Sequence, residues 1–141
     1  MKLNPSMLFL SGVILGLFML SADAHSRQLE AGNSAELWGG RGVTMRMTAR
    51  GATLEFDCAH GSITEPIKPD AKGEFRASGT YTAESGGPVL QANPPRDLPA
   101  TYRGAISGDT MRLEIKLSAK DETLTSFTLE RGKAGRLVKC R

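Results

Sequence analysis

Apolar and polar residues alternate most regularly between Ala100 and Leu117, on both sides of Gly108-Asp109. Alternation around such a two-residue turn predicts a β-hairpin. The turn sets the cross-strand pairs Ser107 with Thr110, Ile106 with Met111, Gly104 with Leu113, Tyr102 with Ile115 and, on the other face, Arg103 with Glu114. A slip by one residue would bury charged side chains, so the pattern also predicts the register.

The segment Val43–Cys58 predicts a second hairpin, with Arg50-Gly51 as its turn. The pairs expected from this turn are Met47 with Leu54, Met45 with Phe56, Val43 with Cys58 and Arg46 with Glu55. Gly51 suits the second position of a type I′ turn, whereas Arg50 would need a positive φ, which is unfavourable for arginine. A slightly longer turn is therefore the alternative.

A third hairpin is predicted over residues 61–83, around the turn Pro69–Gly73. Its expected pairs are Ile67 with Phe75, Ile63 with Gly79, Gly61 with Tyr81 and Lys68 with Glu74. Pro66 lies within the first of these strands. Because proline cannot donate to a β-ladder, we expect that strand to be an edge or to carry a bulge.

The C-terminal part predicts two more strands, Thr123–Arg131 and Arg136–Arg141, joined by a loop over residues 132–135. A four-residue loop places Leu129 opposite Val138 and Phe127 opposite Cys140. The chain then contains eight strands in four successive hairpins. No segment shows a convincing helical period.

This pattern predicts an all-β fold, an antiparallel eight-stranded meander that closes into a small up-and-down, calycin-like barrel. A two-sheet sandwich is the alternative architecture. The side chains expected to face the core are Met45, Met47, Leu54, Phe56, Phe75, Tyr81, Ile106, Met111, Leu113, Ile115, Phe127 and Leu129.

The first residues of the chain have the features of a targeting segment. Lys2 precedes the apolar run Met7–Leu20, which is followed by Ala22-Asp23-Ala24. A basic start, an apolar stretch and a small-x-small site are typical of a cleaved secretory signal peptide. We expect residues 1–24 to be removed, 25–40 to form an N-terminal arm and 41–141 to form a single barrel or sandwich domain.

Trp38 is the one tryptophan of the chain and stands just before the first predicted strand. We interpret it as a plug for one end of the core, with a ligand-stacking ring as the alternative. The glycines that follow it, at positions 39, 40 and 42, indicate a tight turn rather than a binding platform.

Charge and cysteine content narrow the class of protein. The formal net charge is +3, without a basic run, which argues against nucleic-acid binding. The apolar run Met7–Leu20 is too short for a membrane span, so we expect an exported, periplasmic or extracellular monomer. In such a location Cys58 and Cys140 are expected to form a disulfide.

No pattern of catalytic residues occurs, and no enzymatic activity or cofactor is expected. The two histidines are His25, which signal cleavage would make the first residue, and His60, in a predicted turn. A free amino group together with these two rings is a conceivable copper site. We give this hypothesis little weight, because nothing in the sequence brings the arm to His60.

The expected plan resembles that of small exported barrels, including the calycins and the periplasmic lysozyme and protease inhibitors. The likeness consists of Trp38 before a first meander strand and a disulfide that reaches the C-terminus. Glu36-Leu37-Trp38 stands where calycins carry GxW, and Ala77–Tyr81 is loosely similar to the SGxxY of lysozyme inhibitors. The resemblance implies architecture alone and transfers no functional residue.

The segment Glu84–Pro99 is rich in glycine and proline and longer than most loops of compact domains, which favours a functional role. We expect a non-catalytic binding module that contacts an envelope or extracellular protein, or a glycan, through this loop. The candidate contact residues are Pro88, Gln91, Asn93, Pro94, Pro95, Arg96 and Asp97. A structural envelope protein and a small-ligand carrier are the alternatives.

Overall fold

The computed structural model describes residues 34–87, 94–119 and 121–140. The predicted signal peptide and most of the predicted N-terminal arm lie outside these residues. Eight antiparallel strands follow one another around a closed barrel. They are β1 (Glu36–Gly40), β2 (Val43–Thr48), β3 (Gly51–Phe56), β4 (Ala59–Ile63), β5 (Glu74–Ala83), β6 (Leu98–Ser107), β7 (Thr110–Leu117) and β8 (Glu122–Arg131). The predicted all-β barrel is confirmed, and the sandwich is not formed.

The clearest sequence pattern gave the correct register. β6 and β7 pair as predicted, with Tyr102 opposite Ile115. Their turn uses Gly108, whose φ of 60° is the left-handed conformation that two-residue hairpin loops favour. β4 and β5 also keep the predicted register, with Ile63 opposite Gly79.

The predicted register of β2 and β3 is wrong by two residues. The observed pairs are Val43 with Phe56, Met45 with Leu54, Arg46 with Thr53 and Met47 with Ala52. The turn is Ala49-Arg50, where the Arg50 N–H donates to the Thr48 hydroxyl over 3.3 Å. The positive φ that the prediction would require of Arg50 is found at Gly51 instead, where φ is 155°. A shift of two keeps every side chain on its predicted face.

The third predicted hairpin is shorter than expected. β4 ends at Ile63, so the predicted pairs of Ile67 with Phe75 and of Lys68 with Glu74 do not form. Pro66 lacks the N–H that a continuing ladder needs. The Glu65 carboxylate instead accepts a hydrogen bond from the backbone of β5.

Two predicted boundaries at the chain ends are also wrong. Residues 36–40, assigned to the arm, form β1, whereas residues 136–140 form no strand. The pairs of Leu129 with Val138 and of Phe127 with Cys140 are therefore absent. β1 takes the place beside β8 because Trp38 carries a large apolar ring into the core, where it is 0% exposed. In the C-terminal segment Val138 remains 73% exposed and Leu137 is only half-buried.

β1 and β8 close the barrel through a short seam of two residue pairs, Trp38 with Arg131 and Gly39 with Glu130. The Arg131 guanidinium lies over the Trp38 ring, 4.3 Å from its centroid. It also contacts the carboxylates of Glu36 and, over 3.2 Å, Asp109. These cation–π and ionic contacts reinforce the seam at its partly exposed end.

After β8 the C-terminal tail, residues 132–140, passes over the outer face of β1. The approach is so close that it requires glycine on both sides. A Cβ on Gly39 would lie 2.3 Å from the Gly135 nitrogen, and one on Gly135 would lie 1.9 Å from the Val43 carbonyl oxygen. The Gly135 N–H donates to the hydroxyl of Thr44 over 2.9 Å, which covers that outward side chain. The predicted tight turn therefore extends only over Arg41-Gly42, and Gly39 serves tail packing.

The barrel interior is filled by side chains. Every residue predicted to face the core is buried there or packs against it. Trp38 is a core residue, as the plug interpretation expected, and Tyr102 is equally buried. The Tyr102 hydroxyl donates a hydrogen bond to the Thr80 carbonyl over 2.6 Å. This hydroxyl packs against Gly61, because a Cβ at position 61 would lie only 2.1 Å from it.

The predicted disulfide joins Cys58, in the turn between β3 and β4, to Cys140 in the tail. Their sequence separation is 82 residues, and their Cα atoms are 5.2 Å apart, a distance within the usual range for bonded cysteines. The bond is consistent with an oxidising location.

Candidate functional site

Four connections between strands and the end of the tail lie at one end of the barrel, which we call the disulfide rim. The connections are the β1–β2 turn, the β3–β4 turn, the β5–β6 connection with its described residues 84–87 and 94–97, and the β7–β8 turn. Asp57 fixes the tail there. Its carboxylate accepts from the Val138 N–H over 2.7 Å, and its carbonyl accepts from the Cys140 N–H over 3.3 Å. Together with the disulfide, these bonds hold the tail against the β3–β4 turn.

A charged cluster lies on the outer side of the disulfide rim. The His60 Nδ1 is 2.7 Å from the Glu84 Oε1, and the Lys139 Nζ is 3.6 Å from the Glu84 Oε2. The pKa of Glu84 lies below its ordinary value, first because of the hydrogen bond from His60. A partial desolvation acts in the opposite direction, and the charge of Lys139 lowers the pKa further. The cluster thus binds the start of the 84–97 connection to β4 and to the tail.

Both ends of that connection are anchored. At its start the Glu84 N–H donates to the Cys58 carbonyl over 2.8 Å. At its end the Thr82 hydroxyl, on a residue that is 2% exposed, donates to the Asp97 carboxylate. Of the predicted contact residues, Pro94, Pro95, Arg96 and Asp97 are exposed, whereas Pro88, Gln91 and Asn93 lie outside the described residues.

An aromatic cluster lines the mouth of the barrel at this rim. The Phe56 ring is 5.7 Å from that of Tyr81 and 5.4 Å from that of Phe127, measured between centroids. Burial raises the pKa of the Tyr81 hydroxyl. Leu98, which pairs with Tyr81, is 41% exposed. The rim therefore combines an anchored polar connection with a partly exposed apolar mouth.

His60 is the titratable group that the sequence singled out for chemistry. Its Nδ1 bonds Glu84, as a general base would bond an orienting carboxylate, but the structure records no hydroxyl or thiol of a described residue on its other ring nitrogen. The described residues hold no group of three or more metal-ligating side chains. His25 lies outside them, so the copper hypothesis stays a prediction.

Part of the charged cluster of His60, Glu84 and Lys139 could be predicted from the sequence. The register predicted for β4 and β5 already places His60 opposite Thr82, as observed. The disulfide implies that Lys139 comes close to the turn after Cys58. Glu84 and Asp97 could not be placed, because they lie in irregular backbone without a period.

The described residues include no helix with the length and apolar character of a membrane span. Comparisons of the chain with protein-family models, with curated proteins and with solved structures gave no match.

Proposed function

We propose that the chain is an exported, non-catalytic binding module of the periplasm or extracellular space, which contacts a protein or a glycan at the disulfide rim through residues 84–99. The observation that carries the proposal is the double anchoring of this connection. Glu84 is tied to His60 and Lys139, and Asp97 is tied to Thr82. A connection that is held at both ends loses less conformational entropy when it binds a partner.

The filled interior favours contact at the surface over capture of a small ligand. An eight-stranded barrel is just wide enough for its own side chains. Here Trp38, Tyr102, Leu113 and Leu129 are each 0% exposed. Two concavities of the described residues lie on the outer wall.

The test is a pull-down from envelope extract with three forms of the protein, each expressed without residues 1–24. The first is the natural chain, and the second has a Gly/Ser linker in place of residues 88–96, which leaves the Asp97 anchor in place. The control is Ala71→Gly/Lys72→Ser, a change of two exposed residues in a connection at the opposite end of the barrel.

We expect a partner that the natural chain and the control retain and the linker variant loses. Identical partners for all three folded forms would show that the loop does not carry the function. If the natural chain retains no partner, a structural envelope role becomes the better explanation.

A further inference from the structure

The outer wall of β5, β6 and β7 carries three exposed arginines, Arg76, Arg103 and Arg112, which we call the arginine face. Among the described residues, no carboxylate lies within ion-pair distance of any of them. Arg76 and Arg103 lie directly opposite each other on paired strands. Like charges in this position are destabilising, so the fold itself gains nothing from the arrangement.

Two neighbouring carboxylates make other hydrogen bonds. Asp70 accepts from the N–H groups of Lys72 and Glu74, over 2.8 and 2.9 Å. Glu114 lies opposite Arg103, yet it accepts from the Thr123 hydroxyl over 2.9 Å. The guanidinium groups are therefore available to an external acceptor.

The arginine face surrounds a concavity of about 440 Å³. The small outward side chain of Ala105 leaves room between the arginines, and the carboxylates of Asp70, Glu74 and Glu114 also line the concavity. Among the lining residues, Phe75 alone has a large apolar side chain, and it is 7% exposed. A ligand here would therefore meet charged side chains but no exposed aromatic ring.

An acidic side chain next to the arginine face, Asp121, is paired with a lysine. The Asp121 carboxylate lies 2.8 Å from the Lys116 Nζ. Its pKa is lowered, first by that hydrogen bond and then by the charge of Lys116, against a desolvation that acts in the opposite direction; the charges of Arg103 and Arg76 add smaller contributions. Lys116 accounts for most of this lowering, and the two arginines act in the same direction.

We propose that the arginine face binds an acidic polysaccharide, whose carboxylate or sulfate groups pair with Arg76, Arg103 and Arg112. Planar guanidinium groups bind such oxyanions through two parallel hydrogen bonds. The three arginines stand on consecutive strands, which lie about 4.8 Å apart, so a chain with repeated anionic groups can cross the strands and meet each in turn.

A polysaccharide fits this face better than an acidic protein does. Protein interfaces are centred on buried aromatic or aliphatic anchors, and the concavity exposes none. The proposal does not depend on the contact through residues 84–99, since the arginines lie along the wall and not at the disulfide rim.

The experiment measures binding to polygalacturonate and to dextran sulfate, with neutral dextran and poly-glutamate as comparisons. The test variant is Arg76→Gln/Arg103→Gln. The matched control is Arg46→Gln/Arg50→Gln, which removes two exposed arginines from another part of the wall. We expect binding to at least one acidic polysaccharide, weakened about tenfold or more in the test variant because charge-assisted hydrogen bonds are lost, and little changed in the control.

Absence of binding to both acidic polysaccharides would overturn the proposal. So would an equal loss in the control, or binding of poly-glutamate as tight as that of the polysaccharides, which would indicate an acidic protein as the partner. Arg112→Gln is a second test variant, with a smaller expected loss, for the case that the double variant folds poorly. A failure here leaves the pull-down with the linker variant unaffected.

Discussion

The close contact between the Gly61 backbone and the Tyr102 hydroxyl allows a direct test of packing in the barrel core. Adding one methyl group at Gly61 would place a Cβ 2.1 Å from the Tyr102 hydroxyl and 2.8 Å from the Thr80 carbonyl oxygen. Both neighbours are held firmly, since Tyr102 is 0% exposed and its hydroxyl donates to Thr80. We therefore expect Gly61→Ala to lower the free energy of unfolding by about 1–3 kcal/mol, as overpacking does.

Removing the hydroxyl should relieve part of that clash. Tyr102→Phe alone is expected to lower the free energy of unfolding by about 1 kcal/mol, the net worth of a buried hydrogen bond. In the double variant the closest contact disappears, although the Thr80 oxygen remains. The double variant should therefore be more stable than the sum of the single losses predicts, with a coupling free energy of about 1 kcal/mol.

The assay is equilibrium unfolding in urea of the disulfide-bonded protein expressed without residues 1–24, with the slope of each transition compared before free energies are subtracted. Gly39→Ala is the control, because its added Cβ meets the tail and not Tyr102. Its effect should add to that of Tyr102→Phe within about 0.5 kcal/mol. Additivity of Gly61→Ala with Tyr102→Phe to the same precision would refute the close contact.

Three further predictions concern the rim and the tail. Glu84→Gln should reduce the free energy of unfolding at neutral pH. Because the folded pKa of Glu84 is lowered, its contribution to stability is present above the ordinary pKa of 4.5 and is lost as pH falls through the lowered value. Urea unfolding of both forms as a function of pH should therefore show that the difference between their free energies of unfolding vanishes in acid. A difference in free energy that is independent of pH would contradict the pairing with His60. The double variant Cys58→Ala/Cys140→Ala should lose about 2–5 kcal/mol, since a loop of this length corresponds to about 4.5 kcal/mol in the chain-entropy model; an unchanged urea midpoint would mean that the disulfide constrains nothing. Gly39→Ala should displace the tail and speed hydrogen exchange of its N–H groups, and unchanged protection would show that the tail does not depend on this close approach.

The sequence predicted those parts of the fold in which local pattern and turn chemistry agree. For β6 and β7 the alternation and the turn at Gly108 lead to one register, which is the observed one. For β2 and β3 the alternation is equally clear, but it is unchanged by a slip of two residues. The choice there rests on whether Arg50 or Gly51 takes the unusual backbone conformation, and the glycine does.

The errors at the chain ends have a different origin, because long-range contacts decide them. Gly39 and Gly40 resemble turn residues in sequence, yet they are strand residues that let backbone approach from distant segments. A Cβ on Gly40 would lie 2.1 Å from the Thr128 carbonyl oxygen, and one on Gly39 would meet the tail near Gly135. No local pattern reports such contacts, so the sequence alone predicts an arm where the structure has β1.

The two proposed binding surfaces share β5 and are far enough apart to be tested separately. Thr82, which anchors the 84–97 connection, and Arg76 lie on the same outward side of this strand, six residues apart. At about 3.3 Å per residue this corresponds to roughly 20 Å, which is beyond the screening length of about 8 Å at physiological salt. Loss of charge on the arginine face should therefore leave the charged cluster at Glu84 unaffected. A single partner that contacts both surfaces must be long enough to span this distance, and it would then gain avidity from two weak contacts.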